Sequence, residues 1–124
     1  MVHVDAEVAA ETGGVSVPVR LLVDSGAVYS VLPNEAWRSL GLRPSRTMEF
    51  VLADGTVVRR EVSHAMFTYA GIRAPSPVVL GGPDDEALLG SVTLESMGLV
   101  LNPFERILRP MRMRLAAAAP TATG

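Results

Sequence analysis

The 124-residue sequence has no cysteine, and all 11 of its basic residues are arginine. Without cysteine there is no disulfide framework and no thiolate chemistry, and the redox compartment is unconstrained, with a lean toward the cytoplasm. Aromatic residues make up only 5% of the chain, and the formal net charge is −2. Such a balance gives no electrostatic reason to expect nucleic acid, and the few aromatics do not interleave with the arginines to support base stacking. No apolar run approaches the roughly 20 residues that span a bilayer. The first residues, Met1-Val2-His3-Val4-Asp5, are charged early and alternate, so they do not read as a signal peptide.

What remains is globular composition, 48% hydrophobic and 19% charged, in a length that fits one domain with a modest core. Alternation with period two dominates. Val2, Val4, Ala6, Val8 and Ala10 share one face, and after the turn Thr12-Gly13-Gly14 so do Val15, Val17, Val19, Leu21 and Val23. Residues 2–10 and 15–23 therefore read as a hairpin, with the non-donating amide of Pro18 toward an edge or bulge. A short strand at Tyr29–Leu32 precedes a two-turn helix, with Pro33 as its first residue, Asn34 to Leu40 as its body and Gly41 as its stop. Ala36, Trp37 and Leu40 are its packing residues, and Trp37 reads as core rather than as a ligand stacker. A strand around Met48, Phe50 and Leu52 meets Asp54-Gly55, a strong hairpin signal, and returns as a long strand from Thr56 to about Tyr69. Both faces of that hairpin are partly polar, so it is expected to project from the body. Beyond Gly71, Ile72–Leu80 is a strand and residues 81–86 an exposed loop. Ala87-Leu88-Leu89-Gly90 is a short apolar strand. Ser91 caps a helix running to Met97 and stopped by Gly98. Leu99–Leu101 and Arg106–Leu108 are strands about the turn Asn102–Glu105, and Met111, Met113 and Leu115 alternate as one further strand. Ala116–Gly124 reads as a disordered low-complexity tail, leaving residues 1–115 as the domain. Seven or eight strands with two short helices, and turns at this spacing, are expected of a small β-barrel or sandwich.

One stretch stands apart from this pattern. Val19, Leu21, Leu22 and Val23 run directly into Asp24, Ser25 and Gly26. A carboxylate at the end of a buried strand is costly without partners, and a glycine two residues on admits another backbone. Asp24 is thus a placed acid, or failing that a turn aspartate capping its own loop.

The run Leu22-Val23-Asp24-Ser25-Gly26-Ala27 resembles the retroviral-type, retropepsin-like aspartic proteases, particularly their small bacterial single-domain relatives. Their pattern is two hydrophobics, Asp, Ser or Thr, Gly and Ala, followed late in the domain by an apolar pair and a glycine that open a helix. Leu88-Leu89-Gly90 fits the second part, and the hairpin from Met48 to Val62, with Ala53-Asp54-Gly55 at its tip, fits the flap between them. The resemblance covers roughly residues 2–108. It implies a mostly β fold, a small closed barrel with a flap and one or two short helices. It implies an aspartic endopeptidase in which two carboxyls share one proton and supply both the base and the acid for hydrolysis by water. The chain has only one Asp-Ser-Gly and is too short for two lobes. The resemblance therefore implies a homodimer in which Asp24 meets its copy across an isologous interface. Ser25 would steady the partner's loop and Gly26 would admit substrate backbone. Asp54 and Gly55 would close over an extended peptide. Ala27, Tyr29, Val31, Leu52, Val78, Leu80 and Leu89 would form hydrophobic pocket walls. No cofactor or metal is implied, and neither is a nucleic acid or membrane partner. Where retroviral members often carry substrate-binding acids after the glycine, this chain has Val28 and Tyr29. Their partner arginine near the last helix is missing as well, since Ser91 and Val92 follow Gly90.

Other chemistry is weaker in the sequence. Asp54 lacks the adjoining hydroxyl residue and reads as a hairpin tip. Asp84, Asp85 and Glu86 form a solvated turn rather than a cation site. His3 and His64 have no companion ligands. Arg106, Arg109, Arg112 and Arg114 read as a solvated face, and neither Ser25 nor Ser30 lies in a nucleophile elbow. The alternative to a protease is a non-catalytic dimeric β-barrel that binds peptides or proteins in the same groove.

Overall fold

A computed structural model describes residues 1–112; the expected strand at 111–115 and the tail at 116–124 lie largely or wholly outside it. The chain forms β1 (His3–Ala10), β2 (Ser16–Val23), β3 (Ser30–Leu32), α1 (Asn34–Ser39), β4 (Arg46–Val51) and β5 (Val57–Tyr69). These are followed by β6 (Ile72–Leu80), β7 (Leu88–Leu89), α2 (Ser91–Met97), β8 (Leu99–Asn102) and β9 (Ile107–Pro110).

The alternation read from the sequence decides the first hairpin. β1 and β2 pair antiparallel, with Val8 opposite Val17 and Ala6 opposite Val19. This register turns Ala6, Val8, Val19, Leu21 and Val23 inward together. Pro18 pairs only with β1, opposite Glu7, so its missing N–H costs no ladder bond. β1 also pairs on its other side with β5, from Glu7↔Thr68 to Ala10↔Ala65. Hydrogen bonding therefore runs in a ring through β1, β2, β7, β3, β6 and β5, while among the described residues β4 is attached only to β5. The core inside the ring is built on Phe67, Leu21, Leu32, Val8 and Val78, all fully buried. Each such side chain contributes roughly 1.5–3 kcal/mol by leaving water.

The long strand β5 has two halves. From Val62 to Tyr69 it pairs with β6, whereas among the described residues Val57–Glu61 pair only with β4. That outer half is the projecting hairpin expected from the sequence. Its tip departs from the two-residue turn that Asp-Gly signals. Gly55 alone adopts positive φ, +87°, and its N–H donates to the Leu52 carbonyl across 2.9 Å. The loop is thus a longer turn with glycine in the left-handed position. Helix α1 packs Ala36, Trp37 and Leu40 against the core, and the Trp37 indole donates to the Gly81 carbonyl at 2.8 Å. Pro33 is the residue just before the helix rather than its first member. At α2 the start also differs from expectation. Gly90 is the flanking residue and Ser91 already lies within the helix, with no side-chain cap, while Gly98 closes it at φ +69° as expected.

Candidate active site

β2 delivers Asp24 to a loop that is gripped from three directions. β7 runs parallel to the end of β2, with Leu22 opposite Leu88 and Val23 opposite Leu89, and the Asp24 N–H continues that ladder to the Leu89 carbonyl at 3.0 Å. The Ala27 N–H closes a turn onto the Asp24 carbonyl at 3.1 Å. The first residues of α2 hold the far side, where Ser91 and Val92 N–H groups donate to the Ala27 and Val28 carbonyls at 2.8 and 3.0 Å. The Asp24 carboxylate is half-buried and accepts the Gly26 N–H at Oδ1, 3.0 Å away. A carboxylate oriented by the backbone two residues on is fixed in direction yet still open to a ligand.

Beneath this loop lies a buried hydroxyl chain that periodicity could not reveal. Ser30, Thr93 and Ser76 are all buried. Ser30 Oγ and Thr93 Oγ1 are 2.5 Å apart, and Thr93 Oγ1 and Ser76 Oγ 2.8 Å. The Gly90 N–H donates to Ser30 Oγ at 2.9 Å, and Ser76 donates to the Pro77 carbonyl at 3.2 Å. Every hydroxyl proton is used when Ser30 donates to Thr93, Thr93 to Ser76, and Ser76 to that carbonyl. Ser30 is therefore a structural hydroxyl, not an exposed nucleophile.

Above the loop is a groove of about 690 Å³. Asp24, Gly26 and Ala27 reach it from the loop, with Val28, Tyr29 and Val31 beside them. Phe50, Leu52 and Val58 of the β4–β5 hairpin border it opposite, and the Tyr29 and Phe50 rings meet edge to face with centroids 5.9 Å apart. Arg46 donates to the Tyr29 hydroxyl at 3.5 Å.

Not every residue expected at the groove reaches it. Val78 and Leu89 point into the core, as does Leu80, and Val79 and Leu88 line the groove instead. The reason is strand parity. Neighbours on a strand face opposite sides, and in the uniformly apolar runs Val78-Val79-Leu80 and Leu88-Leu89 the sequence carries no polar residue to mark which side is which. Asp54 and Gly55 sit at the hairpin tip and do not border the groove. Asp54 instead binds its own turn, accepting the Thr56 N–H at Oδ1 at 2.9 Å; the Thr56 hydroxyl, then that N–H, hold its carboxyl below the ordinary value. Ser25 is exposed and opens onto a separate cleft beside α2 and β8. The acidic turn is solvent-exposed as expected, and it also borders the groove. Asp85 and Glu86 stand at the groove, and Asp85 Oδ2 also accepts the Gly82 N–H at 2.7 Å. Glu86 approaches His3 at 3.9 Å. Among the described residues no helix is long and apolar enough to cross a membrane.

Comparison with known proteins agrees with this architecture. A family model described as aspartyl protease matches residues 8–93. No curated protein sequence matches the chain. Among solved structures, the solution structure of simian foamy virus (mac) protease is similar with a TM-score of 0.54 at 22% identity, covering 75% of this chain and 91% of that one. The EIAV protease, solved with the inhibitor HBY-793, is similar with a TM-score of 0.57 at 17% identity, covering 77% of this chain and 86% of that one. At these identities the structural likeness establishes the fold, which is retropepsin-like.

Proposed function

We propose, from the premise that the chain belongs to the aspartyl protease family, that it is an endopeptidase acting as a homodimer through Asp24. The chain is an aspartic-type hydrolase, and the finer reading concerns how the residues act. The observation that carries it is that the only Asp-Ser-Gly in the chain lies on the floor of the groove, its carboxylate directed by the Gly26 N–H.

One carboxyl is not enough for the chemistry. Hydrolysis needs a base to take a proton from the attacking water and an acid to protonate the leaving amine, and two carboxyls that share one proton fill both roles. With one such acid per chain, the second is Asp24 of another copy. The ionised carboxylate takes the water proton as the water oxygen attacks the scissile carbonyl. The protonated one gives its proton to the carbonyl oxygen, the first then passes the water proton to the nitrogen as the C–N bond breaks, and a hydroxyl proton of the tetrahedral intermediate returns to the second carboxylate as the new carboxyl group forms. Gly26 leaves room for extended substrate backbone above the acids. The β4–β5 hairpin acts as the flap that covers the peptide and excludes water. Ala27, Tyr29, Val31, Phe50, Val79 and Leu88 favour apolar side chains next to the scissile bond.

The test is cleavage of a denatured protein mixture, read by mass spectrometry, with wild type and Asp24→Asn. The wild type is expected to cleave. The variant is expected to keep fold and dimer and lose cleavage. Undiminished cleavage by the variant overturns the reading. Peptide binding without turnover at any pH would make the chain a binding module instead.

A further inference from the structure

We infer that the groove selects peptides with a basic side chain, arginine or lysine, whose charge meets the Asp85 carboxylate. The inference rests on the reading that the groove holds a peptide for cleavage, and it names the class of peptide that the groove prefers. The walls of the groove differ in charge. The β4–β5 hairpin contributes Glu49 and Arg60, one of each sign, whereas the loop after β6 contributes Asp85 and Glu86, both acidic. Glu86 has His3 at 3.9 Å, but no arginine among the described residues lies within ion-pairing distance of Asp85. A carboxylate left without a cation at the wall of a binding groove favours a ligand that brings one.

Asp85 is exposed, yet its direction is set by the backbone. Its N–H donates to the Gly82 carbonyl at 3.2 Å, and its Oδ2 accepts the Gly82 N–H at 2.7 Å. That reciprocal pair occupies one carboxylate oxygen and leaves Oδ1 without a partner among the described residues. The start of the loop is anchored in turn. The Gly81 N–H donates to the Leu32 carbonyl at 2.8 Å, and the Gly81 carbonyl accepts the Trp37 indole at 2.8 Å. The Asn34 N–H reaches the Gly82 carbonyl at 3.3 Å. A carboxylate held this way gives up little conformational freedom when a cation binds.

The surroundings suit a long side chain with a charged end. A Cβ placed on Gly81 would meet Val31 Cγ1 at 3.0 Å and Asp85 Cβ at 3.1 Å, so the acid stands directly beside an apolar wall. Val31 lies opposite Val79 on one side and Leu88 on the other, and all three border the groove. An arginine or lysine can lay its methylenes along these side chains and bring its charge to Asp85. An acidic side chain in the same place would meet Asp85 and Glu86 as like charges. A short apolar one would touch the wall and leave the acid unused.

The experiment uses the full chain and a set of apolar peptides that carry arginine, glutamine or glutamate at each position in turn. Cleavage is read as kcat/KM. At one position from the scissile bond, wild type is expected to favour arginine over glutamine by roughly fivefold, with glutamate poorest, and the gap should narrow with added salt. Asp85→Asn keeps an acceptor oxygen for the Gly82 N–H and should erase the difference between arginine and glutamine. Asp85→Lys should turn the preference toward glutamate. Asp84→Asn lies in the same loop but does not border the groove, and it should keep the wild-type preference. Cleavage with no preference for arginine at any position overturns the inference and leaves the peptidase standing. An Asp85→Asn variant that retains the wild-type preference also overturns it, whatever its overall rate. Binding of the same peptides to Asp24→Asn, with and without Asp85→Asn, is followed by fluorescence anisotropy and needs no turnover. An arginine preference there that disappears with Asp85→Asn upholds the inference even in a chain that never cleaves, and equal binding of all three kinds of peptide overturns it.

Discussion

The Gly90 N–H donates to the buried Ser30 hydroxyl across 2.9 Å, and the closeness of that approach leaves no space for a side chain at position 90. A Cβ there would lie 2.7 Å from the Tyr29 carbonyl carbon and 2.9 Å from the Val28 oxygen. Gly90 has φ −92°, which any residue adopts, so the requirement for glycine is one of room and not of conformation. The loop that carries Asp24 and the start of α2 are thereby in backbone contact, and the loop inherits its position from the helix.

Gly90→Ala is accordingly expected to destabilise the fold by about 1–3 kcal/mol, since the clash is with backbone that cannot rotate away. Cleavage should fall further than the folded fraction does, because the strain relaxes through residues 27–29. Gly26→Ala makes the contrast. Its Cβ would meet only Asp24 Oδ1, at 3.3 Å. Thermal denaturation should barely register that variant while the cleavage assay shows a large loss, the carboxyl having been displaced and the groove floor raised.

Thr93→Val removes the middle of the hydroxyl chain with little change in shape. Ser76 keeps the Pro77 carbonyl, but the Ser30 proton loses its acceptor in a fully buried place. A loss of about 1–3 kcal/mol is expected from denaturant titration. Thr93→Ser restores the hydroxyl, and most of the stability should return with it.

These two sites mark the limit of what could be read in advance. Asp24, the helix after Gly90 and the hairpin at Asp54-Gly55 were legible because each has a local cause: an acid ending an apolar strand, a stop glycine, a turn pair. Alternation also set the β1–β2 register, because one face of that hairpin is polar. The pocket walls were not legible where both faces are apolar, which is why Val78 and Leu89 were expected where Val79 and Leu88 stand. The hydroxyl chain was hidden for a related reason. Ser30, Ser76 and Thr93 lie far apart in sequence, and nothing about a serine says whether it is inside. Asp85 and Glu86 are solvent-exposed, as their loop suggested, and what the sequence did not show is that they also border the groove.

The β5–β6 turn offers a gain in stability away from the site. Ala70 and Gly71 adopt φ +51° and +80° between the paired residues Tyr69 and Ile72, a turn with positive φ at both central positions. An alanine in the left-handed region is strained by roughly 1–2 kcal/mol. Ala70→Asn, which tolerates that conformation, should raise stability by about 0.5–1 kcal/mol, seen as a higher midpoint of thermal unfolding. Cleavage should be unchanged, because this turn lies at the end of β5 opposite the β4–β5 hairpin.

The tip of the β4–β5 hairpin should keep its order in mild acid. Asp54 is fully exposed, yet its carboxyl is held below the ordinary 3.8, first by the Thr56 hydroxyl and next by the Thr56 N–H. The sign follows from linkage. A carboxyl whose folded value is depressed adds stability that is present above its unfolded value and lost as pH falls through the lowered folded value. The tip is thus fully tied at pH 5 and releases only in stronger acid. Amide exchange at Thr56, corrected for its intrinsic pH dependence, should show protection at pH 5 that fades below the ordinary carboxylate range. Asp54→Ala should lack that protection throughout. Asp54→Asn, which retains an acceptor oxygen without a titrating proton, should keep part of it and lose the acid step. If wild type and Asp54→Asn fade together, the Asp54 carboxyl does not hold the tip.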